Sequence, residues 1–586
     1  MIPHLFRTTT SSSFFRPWIG LLVGFLGCTV LFRPWLFSSG QALWGGDFDG
    51  HLIYWILEWG YHCIAGSGTW VDFWQANSFY PHASTLAYSD SLISVQALYT
   101  PLRMAGLSPL LSMHVVLIAC CLLGCILTDW ALYKAGFATP ERACLVTVAH
   151  FGLSVTSFLP GHYQLFAFQF APAFFVLVYL FWRDWKPVDA ITATAIFVFA
   201  TGFAVYFGPI CLVLVLPYSI WHLIKNAHRV GVFATTRRLC VPRLIIPVVA
   251  MLAMLYVFQL RPYLNIQSTA SLPSKREIIS YSAKPDSLFT MISAYSTWYP
   301  NRVTKAGEWE YAYFPGYILI AALLLAIPLL AWKRGHKMQI RAHPPGWMGY
   351  MIFLFVFAWV LSLGPAIETN TGRIYLPYEL FREYFPGFSG MRTPGRFGLC
   401  FGLALGTFLL LVSRFLTDKL PRTAGCYVGP VLAISVFVES LPKTNSYPFE
   451  IRNENALHAV ASRITPNQPL LILPLAGQNH MTTLRNIMEQ LKGSTLHWAK
   501  IPAGYGVRST AELDRIIHLD RMVLEGAEHW NEMADYGREI GIKHILLFLE
   551  NYPPAIQDGL RRHFHADVDH PLPGNNDVLW IDLAKP

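Results

Sequence analysis

Long apolar runs recur through the first three quarters of this chain, and they constrain its fold more than any other feature. A bilayer core about 30 Å thick requires roughly 20 apolar residues in a helix. Only 13% of the residues are charged, against about 25% in soluble domains. Eleven segments have this apolar character, with approximate ends at 17–36, 110–133, 143–160, 163–182, 188–206, 208–224, 242–260, 313–332, 346–364, 394–413 and 424–440. The sequence predicts an all-α polytopic membrane bundle and excludes a soluble enzyme, a disordered scaffold and a fibrous protein.

The distribution of Lys and Arg predicts the orientation of this bundle. Basic residues cluster in the short loops on one side, whereas residues 37–90 contain neither Lys nor Arg. Because basic loops stay in the cytoplasm, the N-terminus is expected there and the C-terminal residues outside. The basic start and first apolar run also resemble a secretory signal. Arg33, Pro34 and Trp35 interrupt the approach to a cleavage site, so an uncleaved first helix is expected.

The chain divides into two expected domains, a transmembrane module at 1–440 with its first outer loop at 37–109, and an extracytoplasmic α/β domain at 441–586. In the second domain, soluble-type patterning predicts strands over Leu470–Leu475, His544–Leu549 and Val578–Ile581, with a helix at about 510–526. Nine of the ten cysteines lie in or beside apolar runs, which excludes a disulfide framework.

The net charge of +9 raises the question of a nucleic-acid partner. The charges lie in short clusters between apolar runs, and no zinc-finger or aromatic RNA-binding signature accompanies them. We therefore expect a lipid bilayer as a partner and no nucleic acid.

Two carboxylates and an imidazole, Asp47, Asp49 and His51, occur within five positions just after the first apolar run. In an extended segment both carboxylates would face one side. Such a pair can hold Mg²⁺ or Mn²⁺, or supply a general base. Alternatively, Asp49 begins a helix that continues through Leu57 and Trp59.

The order of one span, an acidic outer loop, a many-helix bundle and a soluble outer domain resembles the GT-C fold of polytopic glycosyltransferases that use polyprenyl-phosphate-linked sugars. Asp47-Phe48-Asp49-Gly50 through Tyr54 resembles the first-loop acidic motif of the oligosaccharyltransferase catalytic subunit. The resemblance implies that Asp49 binds a metal, Mg or Mn, and contacts the acceptor. Gly50 stands where that family has proline, and the family's Asn-Tyr-Arg ending is absent.

The chain also resembles a poorly characterised bacterial group of GT-C-like membrane proteins, over most of its length. This resemblance implies the cytoplasmic (inner) membrane of a cell envelope. Its motifs are Gly46-Asp47, Trp55, Trp59, Phe79-Tyr80-Pro81, Leu86-Ala87-Tyr88-Ser89-Asp90, Pro101-Leu102, Gly161-His162 and Gly387-Phe388-Ser389-Gly390-Met391-Arg392-Thr393-Pro394-Gly395-Arg396-Phe397.

Arg392 and Arg396 flank Pro394, a residue favoured in the first turn of a helix. Two guanidiniums at such a position would bind the phosphate of a lipid carrier. The alternative is that both side chains only reach lipid headgroups. His162 lies between two predicted spans and would orient Asp49 or polarise a hydroxyl, unless it only bonds to backbone. His51 presents the same choice and is predicted to bind substrate.

These features predict an integral-membrane glycosyltransferase that moves a sugar from a polyprenyl-phosphate carrier to a glycan, lipid or protein outside. Asp47, Asp49 and His162 are its predicted catalytic residues. The sequence leaves open a non-catalytic GT-C-like assembly protein. A lipid or glycan transporter fits less well, because transporters usually place charges at mid-membrane and show related halves.

Overall fold

A computed structural model gives the fold of the chain. It describes residues 18–38, 42–45, 48–156, 159–266, 273–290, 297–298, 311, 313–335, 344–369, 372–385, 387–441, 443, 446–465, 467–506, 509–564, 571–572 and 575–583.

Helices build nearly all of the described part of the first 440 residues. The first eight are α1 (Trp18–Leu31), α2 (Arg33–Phe37), α3 (Phe48–Ala65), α4 (Gln96–Met104), α5 (Pro109–Ala135), α6 (Thr139–Phe151), α7 (Leu153–Thr156) and α8 (Ala171–Asp184). The next eleven are α9 (Pro187–Phe203), α10 (Phe207–Val230), α11 (Val232–Leu239), α12 (Pro242–Leu255), α13 (Arg261–Ile266), α14 (Lys275–Ser280), α15 (Tyr317–Gly335), α16 (Trp347–Ser362), α17 (Pro377–Tyr384), α18 (Gly402–Lys419) and α19 (Arg422–Glu439). Short 3₁₀ helices at Leu159–Gly161, Tyr163–Phe170 and Pro394–Cys400 join them.

The chain is a multi-pass membrane protein, but the predicted number of eleven spans is not confirmed. Each predicted segment contains a helix. Four described helical segments are long and apolar enough to cross a bilayer: Pro109–Ala135, Tyr163–Asp184, Phe207–Val230 and Pro242–Ile266. A fifth results if Pro394–Cys400 and α18, bent by 41°, count together. The others are shorter; α6, for example, ends at Phe151, well before the predicted residue 160.

Helix α5 shows how the sequence defines its own ends. Ser108 caps the N-terminus by accepting a hydrogen bond from the Leu111 N–H, and Pro109 follows at the first helical position. Gly136 ends the helix in a left-handed conformation, with φ of 96°. Between these signals the helix is 27 residues long and mostly apolar, which is more than a bilayer requires.

Helices α1 and α5 pack at close range through a small residue. A side-chain carbon added at Gly20 would lie 2.5 Å from the Cys125 carbonyl oxygen, so only glycine fits there. The Gly20 N–H also donates to Asp129 of α5 at 3.0 Å, and Arg142 of α6 lies 2.9 Å from the same carboxylate. Close packing and shared buried polar groups are typical of membrane helices.

The described residues include eight strands, and four of them form the sheet of the C-terminal region. They are β1 (Ala42–Trp44), β2 (Ala366–Thr369), β3 (Gly372–Tyr375), β4 (Ser446–Pro448), β5 (Leu470–Leu473), β6 (His544–Phe548), β7 (Pro571–Leu572) and β8 (Asn575–Asp582). The C-terminal sheet has the order β5-β6-β8-β7, with β5 and β6 parallel and the other pairs antiparallel. Strands β5, β6 and β8 lie where the apolar runs predict them, whereas β7 was not predicted.

Five helices surround this sheet and complete the α/β region. They are α20 (Glu454–Ala461), α21 (His480–Ser494), α22 (Ala511–Glu525), α23 (Trp530–Glu539) and α24 (Pro554–Phe564). Helix α22 agrees with the helix predicted at 510–526.

The first outer loop and the C-terminal region are joined by backbone pairing. Strand β1 pairs antiparallel with β4. Asn77 is fully buried between the two regions: its side-chain N–H donates to the Ala499 carbonyl at 3.0 Å, and its side-chain oxygen accepts from the Trp55 indole N–H at 3.0 Å. The ring of His62 stacks on Trp498 with centroids 4.3 Å apart. Helix α3 is therefore held against the C-terminal region along its length.

The Asn77→Ala variant is predicted to lower the free energy of unfolding by about 3 kcal/mol, because it leaves the buried Trp55 N–H and Ala499 carbonyl without their partner. Thermal unfolding of the full-length protein in detergent measures the change. Asn531→Ala, at an exposed amide of α23, is the matched control and should have almost no effect. Equal stability of the two variants would contradict the interface described here.

Candidate functional site

Asp49 lies in the first turn of α3, which begins at Phe48. The segment is therefore a helix start, the second of the two alternatives, and the extended arrangement is not found for the described residues. The positive end of the helix dipole favours a carboxylate at this position. Asp47, the predicted partner of Asp49, lies outside the described residues.

The segment that contains Pro160 packs closely against the backbone at Gly45, just before the helix that carries Asp49. Gly45 has φ of 79°, and a side-chain carbon added there would lie 2.7 Å from the Pro160 main chain. Only glycine permits both the left-handed conformation and this contact. The approach places the turn that contains His162 beside the start of α3.

Asp49 and His162 form a hydrogen-bonded pair. The His162 Nδ1 lies 2.7 Å from the Asp49 Oδ2, and the Gln164 side-chain N–H donates to the same oxygen at 3.1 Å. The side chains of His162 and Asp49 are 23% and 11% exposed, so the pair is sheltered but reachable. With the proton on Nδ1, assigned from this bond, Nε2 carries the lone pair that can accept a proton from a hydroxyl.

The two predicted phosphate-binding arginines differ in environment. Pro394 does begin a helix, the 3₁₀ helix Pro394–Cys400. Arg396 is only 5% exposed, and its guanidinium carbon lies 4.5 Å from the centroid of the Tyr206 ring. The Arg392 side chain is 27% exposed, lies over Tyr281, and is 3.7 Å from a carboxylate oxygen of Glu277. Arg396 is thus an interior cation, whereas Arg392 lies closer to the surface.

Asp90 is a buried carboxylate in the same region as Arg396 and Asp49. Its Oδ1 accepts from the Val205 N–H at 2.8 Å, one residue before the Tyr206 ring that contacts Arg396. Burial raises the pKa of Asp90 to about 6; Arg396 opposes this shift, and the negative charge of Asp49 adds to it. Asp90 is therefore within electrostatic range of both groups.

Backbone contacts also place the two predicted groups in one region. Helix α3 contacts the Leu159–Gly161 turn, and α7 contacts both that turn and the Pro394–Cys400 helix. Asp49 and Arg396, more than 300 positions apart in the sequence, therefore lie in one region of the structure.

His51 has a different environment from the one predicted. It is buried, and its ring packs against Phe449 of the C-terminal region with centroids 5.6 Å apart. Burial, with a smaller contribution from the positive charge of Lys492, lowers the pKa of His51 to about 3, so the imidazole is neutral at pH 7. A neutral, buried ring provides no charge for a phosphate, and a part for His51 in substrate binding stays a prediction.

The residues described around Asp49 do not fit a magnesium or manganese site. Both ions prefer several oxygen ligands. In the described part of the chain, no three His, Cys, Asp or Glu side chains come together as a possible metal site. The Oδ2 of Asp49 is already occupied by two hydrogen-bond partners. We therefore derive no chemical step through a metal.

Sequence reasoning missed two residues of this region, Gln164 and Asp90. Gln164 follows His162 by two positions, and nothing in the local sequence marks it. Asp90 stands within one of the resemblance motifs, but its local pattern gives no indication that Val205 and Arg396 would lie beside it.

The fold defined by these elements is the GT-C fold of polytopic glycosyltransferases, as the motifs had indicated. The crystal structure of the apo oligosaccharyltransferase from Archaeoglobus fulgidus is similar over 92% of this chain and 70% of that one, with a TM-score of 0.50 and 10% identity. A second structure, the A. fulgidus oligosaccharyltransferase AglB in complex with an inhibitory peptide and a dolichol-phosphate, has the same coverage and identity and a TM-score of 0.49. No protein-family model and no curated protein matches the chain. At 10% identity the likeness concerns the fold alone.

The Asp90→Asn variant is predicted to flatten the pH dependence of stability between about pH 4 and pH 6. Because the folded state raises the pKa of Asp90 from 3.8 to about 6, it binds this proton more tightly than the unfolded chain does. The resulting stability is present at low pH and is lost as the pH rises through 6. An asparagine oxygen still accepts from Val205, but no longer titrates.

Thermal and denaturant unfolding in detergent from pH 4 to pH 7 measures this effect, which is on the order of 2 kcal/mol across the range. Asp535→Asn, at a highly exposed carboxylate, is the control and should retain the wild-type profile. If Asp90→Asn and the wild type lose stability in parallel, the environment assigned to Asp90 is wrong.

Proposed function

We propose that this protein is an integral-membrane glycosyltransferase that moves a sugar from a polyprenyl-phosphate carrier to an acceptor outside the cytoplasmic membrane. The observation that carries the proposal is the hydrogen-bonded pair of Asp49 and His162, in the same region as the buried cation of Arg396. A base for the acceptor and a cation for the leaving phosphate are the two elements that such a transfer requires. The GT-C fold, shared with an oligosaccharyltransferase, is consistent with it.

In this proposal Asp49 and His162 activate the acceptor together. Asp49 fixes the imidazole through Nδ1 and stabilises the positive charge that develops on it. Nε2 of His162 takes the proton from an acceptor hydroxyl or amide as its oxygen or nitrogen attacks the anomeric carbon. Gln164 holds the carboxylate in place through its own hydrogen bond. Proton transfer of this kind contributes about 10²- to 10⁴-fold to a rate.

Arg396 and Arg392 act on the other side of the reaction. When the bond from the anomeric carbon to the carrier oxygen breaks, negative charge grows on the departing lipid phosphate. Preorganised cations stabilise that charge most effectively where water is excluded, which describes Arg396. Arg392, closer to the surface, would meet the phosphate as it arrives from the lipid.

The distribution of basic residues between the loops predicts on which side of the membrane each part of the chain lies. The N-terminus lies in the cytoplasm, and residues 441–586 form an extracytoplasmic domain attached to the transmembrane module at 1–440. The acceptor is a glycan, a lipid or a protein on the outer face of the inner membrane.

The Asp49→Asn variant is predicted to reduce glycan transfer at least 100-fold, because an amide neither orients nor charge-stabilises the imidazole. In cells from which the gene is deleted, lipid-linked glycan should accumulate, and its level is measured in lipid extracts. The wild-type gene should clear it, whereas Asp49→Asn should not.

Asp72→Asn, in the same outer loop and half-buried, is the matched control and should behave as wild type. Immunoblots of the membranes establish equal amounts of each variant. If Asp49→Asn clears the lipid-linked glycan normally, the protein acts as a non-catalytic assembly protein. If deletion causes no accumulation, the proposed donor is wrong.

The Arg396→Gln variant is predicted to lower transfer by about 100- to 1,000-fold, because the phosphate loses its interior cation. The same lipid extracts measure it. Arg382→Gln is the control: this arginine pairs with Glu379 through two hydrogen bonds, at 2.8 and 3.0 Å, and has no role in the proposal. Equal activity of the two variants would refute the role of Arg396.

A further inference from the structure

A cleft in the C-terminal region is separate from the Asp49 site. It has about 520 Å³ of empty space, part of it open to solvent, and lies between α21, the ends of β5 and β6, and the segment before α20. Strands β5 and β6 run parallel, and the cleft includes Pro474 and Phe548 at their carboxyl ends. Ligands of α/β sheets commonly bind in this position.

Side-chain amides form most of the polar lining of the cleft. They are Asn453, Asn486, Gln490 and Asn551. An amide presents a donor and an acceptor next to each other. A carbohydrate hydroxyl also donates and accepts, so side-chain amides suit the hydroxyls of a sugar.

One side-chain atom of Gln490, a lining residue of this cleft, lacks a hydrogen-bond partner among the described residues. It is 8% exposed, and its side-chain N–H donates to the Ile472 carbonyl at 2.9 Å. Its Oε1 has no hydrogen-bond partner among the described residues. Buried polar atoms are nearly always hydrogen-bonded, so this oxygen is suited to accept from a ligand hydroxyl.

The charges and the apolar lining of the cleft favour a neutral ligand. Arg452 is its one lining cation among the described residues, and Glu489 its one carboxylate. Glu489 is already paired with Lys492, 3.0 Å away. The apolar lining includes Ile472 and Phe548, against which the C–H faces of a sugar ring can pack. A phosphate or nucleotide would require more positive charge.

We propose that this cleft binds a segment of a neutral glycan. Helix α21, which forms one wall of the cleft, packs against α3. Lys492 of α21 lies 5.2 Å from the centroid of the Phe449 ring, which packs on His51 and Tyr54. A glycan bound there lies beside the helix that begins with the candidate catalytic acid. The binding does not depend on the proposed transfer reaction.

The test uses the full-length protein in lipid nanodiscs on an array of neutral glycans and their phosphorylated and sulfated counterparts. Positive signals are then titrated in solution. We expect saturable binding of neutral glycans, and an affinity at least tenfold lower for the Arg452→Ala/Asn551→Ala double variant. Both of these residues are exposed, so the variant should fold, which its thermal unfolding verifies.

The matched control is Arg521→Ala/Asn531→Ala, an exposed arginine and an exposed amide outside the cleft, which should bind within twofold of wild type. Three results would overturn the proposal: no saturable binding of any neutral glycan, binding of the anionic counterparts only, or equal affinity of the two double variants. Because binding is measured without donor, a failed transfer assay leaves this result unaffected.

Discussion

The arrangement of the candidate site depends on one close contact, between the Gly45 backbone and Pro160. This contact brings two segments together that are more than 100 positions apart in the sequence, and the hydrogen bond between Asp49 and His162 forms next to it. Strand β1, which ends at Trp44, pairs with β4 of the C-terminal region. The start of α3 is therefore held by the transmembrane module and by the C-terminal region together, so its carboxylate has a defined position.

Charge compensation explains how several ionisable groups are tolerated in a sheltered region. An isolated buried charge is costly, and a paired one much less so. Arg396 lies over the Tyr206 ring and near Asp90, and Asp90 in turn accepts a backbone hydrogen bond from Val205. The guanidinium of Arg396 therefore loses most of its hydration when the protein folds, before any ligand binds. A phosphate entering this region would meet a cation that has little water to lose, which is the property that a site for a departing phosphate requires.

The sequence predicted the helices and strands that depend on the residues of their own segment. Helices occupy the apolar runs, three apolar runs of the C-terminal region form strands, and Pro394 begins a helix. The number of spans was less predictable, because the length of a helix depends on where it ends; α6, for example, ends at Phe151 inside a longer apolar run. His51 appeared similar to His162 in the sequence, yet one is buried against Phe449 and the other contacts Asp49, since their environments come from distant segments. Asp90 and Gln164 were missed for the same reason, as was the pairing of β1 with β4 across some 400 positions.

The proposed mechanism requires Arg396 and Arg392 to hold a lipid phosphate within reach of Asp49 and His162. A cryo-electron microscopy structure of the full-length protein in nanodiscs with a bound polyprenyl phosphate would show this arrangement. We expect the phosphate to lie within hydrogen-bond distance of the Arg396 guanidinium, with its lipid chain leading into the bilayer and the Asp49–His162 pair facing the same space. A phosphate bound elsewhere, with Arg396 still enclosed by Tyr206 and Asp90, would contradict it.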